Sequence, residues 1–192
     1  MRARIIIITL VTMFAAMSTF AQALAAKRDE QRWAYLVQPG DILQILAWRE
    51  PDMQLEVLVK PDGAFTIPLA GEIIAANKTV YEISQEITVK LKKYMPDQVI
   101  AVAVKQPLGN IVYIIGKVNK AGPVLMNRPL DVVQALSAAG GFTRFASPDD
   151  IKIIRRTEDT QSVFSFDYSD IEHGIDLFQN IELKSGDIIV VP

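Results

Sequence analysis

The sequence contains no cysteine and only one histidine. An exported chain can be held by disulfides; this one has to rely on its apolar core. Without a thiol there is no cysteine nucleophile, no thiolate metal site and no side chain to carry a lipid at a cleavage point. A single histidine cannot form the paired-histidine zinc motif of a metalloprotease, and no P-loop or dinucleotide fingerprint occurs. Lone His173 sits in a polar stretch, Asp170-Ile171-Glu172-His173-Gly174, with no nucleophile or base beside it, and reads as solvated loop surface. Long apolar runs are also scarce, and only one approaches the length of a membrane span. No cofactor site and no metal site is expected.

That run is at the start. Arg2 and Arg4 form a basic head, residues 5–17 are apolar apart from Thr9 and Thr12, and Ala21-Gln22-Ala23 is a small-residue cleavage signature. A spanning helix needs about 20 mainly apolar residues, so 1–23 is expected to be a cleaved secretory signal, with cleavage after Ala23 or Ala25. Its loss removes two of the 20 basic residues and none of the 22 acidic ones, leaving a net charge near −4. Nucleic-acid binders carry basic surfaces, so nucleic acid is excluded as a partner. The remaining length suits one medium domain or two small ones.

From Tyr35 onward, short apolar runs alternate with Pro, Gly and Asp. Residues 42–48 read as a strand, 57–60 and 64–67 as a hairpin about Pro61-Asp62-Gly63, and 68–74 as a further short strand. Thr79 and Glu82 predict a capping box. Val80, Ile83, Ile87, Leu91 and Tyr94 then follow at helical spacing until Pro96, and 99–104 reads as a strand. The pattern breaks near Gln106-Pro107-Leu108-Gly109. Residues 111–118 predict a strand, 119–123 a turn, and Pro129 the first position of a helix stopped by Gly140-Gly141. Strands are expected over 151–154 and 188–191, and over 163–168 with Phe164, Phe166 and Tyr168 on one face. The fold class is α+β, in two units of strands with one helix each: residues 35–106 and 107–192, after a segment 24–34.

Several of these stretches together resemble the outer-membrane polysaccharide export proteins, the Wza-like family. Pro39-Gly40-Asp41-Ile42-Leu43, the run from Val59-Lys60-Pro61-Asp62-Gly63 through Pro68-Leu69-Ala70-Gly71-Glu72, and the capped helix are similar to a polysaccharide export domain. Ile114-Ile115-Gly116-Lys117-Val118-Asn119-Lys120-Ala121-Gly122-Pro123, Ala139-Gly140-Gly141-Phe142-Thr143 and the closing Leu183-Lys184-Ser185-Gly186-Asp187-Ile188-Ile189-Val190-Val191-Pro192 resemble a β-grasp-like soluble-ligand-binding (SLBB) domain. Each motif alone is a common turn and strand; the ordered set is specific. The resemblance implies a periplasmic component of an exopolysaccharide or capsule export channel, associated with the outer membrane. Further expectations are a homo-oligomeric ring, with an octamer as its stoichiometry, polysaccharide as cargo, an outer-membrane β-barrel partner and an inner-membrane copolymerase or kinase. The missing lipid-bearing cysteine and the missing amphipathic helix after Pro192 point to a short form of the family without its own membrane segment.

Two rival readings stand beside the conduit. One is a monomeric periplasmic glycan-binding or assembly factor. The other is a glycan-cleaving enzyme, which needs two carboxylates placed across a sugar; no spacing singles out a pair, and no catalytic residue is expected. Gly40, Asp41, Asp62, Gly63, Gly116, Gly122, Gly140, Gly141, Gly186 and Asp187 are read as structural turn residues. Arg144, Arg155 and Arg156, with Lys152, are candidate contacts to an acidic glycan, or else a solvated basic face. Trp33, Trp48, Tyr113 and Phe142 are either sugar platforms or core aromatics.

Overall fold

Apolar alternation becomes strand through most of the chain in the computed structural model, which describes residues 34–48, 50–96, 98–157 and 160–192, without the side chains of 50–53. The expected signal, most of the 24–34 segment and Trp33 lie outside the described residues. Val37–Pro192 form one compact unit. In chain order its elements are β1 (Ile42–Ala47), β2 (Glu50–Leu58), β3 (Ala64–Ile67), β4 (Gly71–Ile74), α1 (Val80–Leu91), β5 (Ile100–Gln106), β6 (Ile111–Gly116), β7 (Gly122–Leu125), α2 (Val132–Ala138), β8 (Ile151–Arg156), β9 (Gln161–Phe166), α3 (Tyr168–His173) and β10 (Ile188–Val191). The class is α+β, as the sequence pattern implies.

The first half forms an antiparallel sheet in the order β2-β1-β5 and a separate ribbon, β3-β4. Leu43, Ile45 and Ala47 alternate inward along β1, and Ile83, Ile87 and Leu91 line the buried stripe of α1, which lies against β5 and β4. Thr79 and Glu82 form the expected capping box. Tyr94, expected on the apolar stripe, instead follows the helix in a turn and is exposed.

The expected hairpin of 57–60 with 64–67 is a correction. Its turn forms, with Gly63 N–H donating to Lys60 O at 2.8 Å. The strands beyond it part company: β2 pairs with β1, and β3 with β4. The carbonyl of Gly63 accepts from both Ala75 and Ala76 N–H, at 2.8 and 2.9 Å. That draws the chain after the turn toward the end of β4 rather than back along β2.

The second half is a five-stranded sheet ordered β7-β6-β10-β8-β9. The last strand in sequence is the central one in space, parallel to β6 and antiparallel to β8. Its inner face buries Ile114, Ile153, Phe166, Ile189 and Val191 against Val132, Ala135 and Leu136 of α2.

Three further corrections fall here. The start of α2 is set by Asp131, not Pro129: Asp131 Oδ1 accepts Gln134 N–H at 2.8 Å in a second capping box. Leu130 O meanwhile takes Leu183 N–H at 2.8 Å, holding the residues after Pro129 extended. The expected turn over 119–123 runs into an edge strand, since Gly122 and Pro123 open β7. The strand expected through Tyr168 stops at Phe166, because Asp167 caps α3 by accepting Asp170 N–H at 3.2 Å. Tyr168 still packs on the core and meets Phe142 edge-on at 5.0 Å. His173 is therefore helical and exposed, its Nδ1 lying 2.7 Å from Ser169 O.

Candidate functional site: two aspartate turns and an open cleft

The two Gly-Asp turns share one geometry. Asp41 Oδ2 accepts Gln38 N–H at 2.8 Å, and Asp187 Oδ2 accepts Lys184 N–H at 2.8 Å. Each aspartate returns its own N–H to the carbonyl three residues back, at 3.1 Å in both cases. The glycine between them has φ +96° at Gly40 and +86° at Gly186, a region where a side chain is strained. Both aspartates are buried, and these hydrogen bonds offset part of the cost of that burial.

Their second partners differ. Asp41 Oδ1 takes Gly109 N–H at 2.8 Å. Asp187 is gripped by Arg155 through two bonds, Nε to Oδ1 at 2.9 Å and Nη2 to Oδ2 at 2.6 Å. The same Nη2 donates to Glu182 O at 3.0 Å, and the guanidinium lies 5.3 Å from the centre of the Phe164 ring. Asp62 behaves more simply: its Oδ1 accepts Ala64 N–H at 3.0 Å, and that bond, with Lys60 beside it, holds the carboxyl below its ordinary range. Gly63, Gly116, Gly122, Gly140 and Gly141 all have positive φ.

The basic residues grouped in the sequence do not form one surface. Strand parity separates them: Arg155 turns inward to Asp187, while Lys152 and Arg156 point outward. Lys152 pairs with Asp150 at 3.4 Å, and Arg144 lies over its neighbour Phe145 at 4.6 Å. Among the described aromatics weighed as platforms, Phe142 packs on the core, whereas Trp48 and Tyr113 are exposed.

Tyr113 and Arg156 meet in one place. The register aligns Pro123, Tyr113, Ile188, Ile154 and Val163 as a row across all five strands, with Arg156 opposite Gln161 beyond it. These side chains lie on the sheet face opposite α2. Tyr113, Ile154, Arg156, Thr157, Gln161, Gly186 and Ile188 line an open cleft of about 530 Å³ there. Thr157 and Gln161 were not singled out in sequence, and Gly186 was read only as a turn residue. The parity of Gln161 with Val163 was visible, but the neighbours it acquires depend on the strand order.

Two family profiles match the chain in succession. Residues 29–105 match polysaccharide biosynthesis/export protein, and residues 110–191 match the SLBB domain. The chain belongs to the polysaccharide export family. Its relatives include the EPS I polysaccharide export outer membrane protein EpsA of Ralstonia nicotianae, 27% identical over 181 residues, which covers 82% of this chain and 47% of that protein. The corresponding EpsA of Ralstonia solanacearum is 26% identical over the same shares. The exopolysaccharide production protein ExoF of Rhizobium meliloti is 32% identical over 91 residues, covering 45% of this chain and 21% of that protein. The chain thus spans about half the length of the export family members named EpsA. Among its described residues, no helix is long and apolar enough to cross a membrane.

Proposed function

We propose that this export-family chain is a periplasmic component of an exopolysaccharide or capsule export channel. It assembles into a homo-oligomeric ring, with an octamer as the expected size, and hands polysaccharide to an outer-membrane β-barrel. An inner-membrane copolymerase or kinase supplies the chain from the other side. A heterologous interface repeated by a closing rotation generates such a ring. Transport at this protein needs no bond to be made or broken; it supplies a wet polar path, and polymer synthesis supplies the push.

The observation that supports this reading best is the succession of the two profiles, 29–105 and 110–191, over nearly all of the described fold. Function resides in sites rather than folds, so the test is cellular. A strain lacking the chain is expected to lose secreted polysaccharide and retain polymer in the periplasm. Undiminished secretion in that strain contradicts the proposal.

A further inference from the structure

The outer face of the five-stranded sheet is apolar along its middle row, yet the concavity at one end is neither flat nor wholly apolar. Ile188 and Ile154 contribute apolar lining, and Tyr113, half exposed, lines it beside them. A side-chain carbon placed on Gly186 would meet nothing within 4 Å. Arg156, Gln161 and Thr157 add polar side chains to the lining, and Tyr113 a phenol. Planar guanidinium and amide groups address paired oxygens in a fixed geometry. The volume of about 530 Å³ falls within the roughly 300–1,000 Å³ of small-molecule clefts.

A pyranose ring has the same division of surface. Its axial C–H groups make an apolar face that stacks on an aromatic ring, while its equatorial hydroxyls need donors and acceptors at the rim. We infer that this cleft holds one pyranose unit of a glycan, stacked on Tyr113 and bonded through its hydroxyls by Arg156 and Gln161. The inference rests on the export reading and names a contact along the path. A conducting site must bind weakly enough to release, so a Kd on the order of 1 mM is expected.

The probes are short oligosaccharides made by partial hydrolysis of the polysaccharide the strain secretes, titrated into the isotope-labelled mature protein. Saturable amide shifts are expected at Tyr113, Gln161, Gly186 and Ile188. Tyr113→Ala and Arg156→Ala should each weaken binding about tenfold, equivalent to about 1.4 kcal/mol, with unfolding midpoints unchanged. Tyr113→Trp should keep affinity within about threefold, because it keeps the stacking surface. Shifts that are absent, lie elsewhere or keep the parent's affinity in Tyr113→Ala overturn the inference. So does a Tyr113→Ala variant whose only change is a smaller mass in solution, which marks the face as an interface between copies. If deleting the chain leaves secretion intact, the export reading itself fails. If deletion stops secretion but the cleft variants bind as the parent does, only the cleft assignment falls.

Discussion

Asp41 accepts the backbone N–H of Gly109 through Oδ1 at 2.8 Å, across 68 positions of sequence. Ser185 closes on the same residue from the other terminus, its Oγ donating to Gly109 O at 2.9 Å. Gly109 is thus fixed at both backbone polar groups by the two aspartate turns. A side-chain carbon at 109 would lie 2.2 Å from Pro39 O. Gly109→Ala is expected to cost about 2–4 kcal/mol by forcing these segments apart, read as a lower urea midpoint. An unchanged midpoint would show that the segments part freely.

The Arg155–Asp187 pair gives a sharper contrast. Asp187 is 1% exposed and Arg155 18%, and removing one partner of a buried pair leaves the other charge uncompensated. Asp187→Asn should destabilise by about 3 kcal/mol. Arg155→Lys keeps the charge but loses the two-pronged contact, and should fall between Asp187→Asn and the parent in denaturant unfolding. Equal midpoints for all three would remove the pair from the stabilising interactions.

Both major helices carry capping boxes, so each should respond alike to loss of its cap. Thr79→Ala and Asp131→Ala are each expected to cost about 1 kcal/mol. Thr79→Ser and Asp131→Asn, which keep an acceptor oxygen, should recover most of it in the same melts.

Stability should also fall at acid pH for a nameable reason. Glu86 accepts from Lys78 at 2.6 Å, and Lys78 first, with Lys90 adding to it against partial burial, holds the carboxyl below its ordinary 4.5. Glu82 is lowered likewise, first by the N–H of Thr79. A carboxyl depressed on folding stabilises above its unfolded pKa and loses that contribution as pH falls through the folded value. The melting temperature should therefore hold from neutral pH down to about 5 and decline below it. Glu86→Gln should lower the plateau and flatten the acid limb; an acid limb identical to the parent's counts against this pair.

How much of this was legible in the sequence follows from what is local. The box of Thr79 and Glu82, the alternation of β1 and the two Gly-Asp turns were legible because each depends on residues a few positions apart. The destination of β3 was not, because the Gly63 carbonyl chooses Ala75 and Ala76, partners of a later turn. The start of α2 was missed because Asp131 outcompetes Pro129 as a boundary, a local signal that could have been read. Tyr113 and Arg156 were each noticed, but their meeting depends on β10 entering between β6 and β8. Strand order of that kind has no signature in periodicity. Arg155 and Arg156 looked equivalent as adjacent charges; pleat parity sends them to opposite faces.

The conduit is tested most directly by the mass of the mature protein in solution, measured by light scattering over a range of concentrations with and without a candidate outer-membrane barrel. A discrete closed oligomer of several subunits is the expected result. A strict monomer under every condition, barrel included, would contradict the conduit.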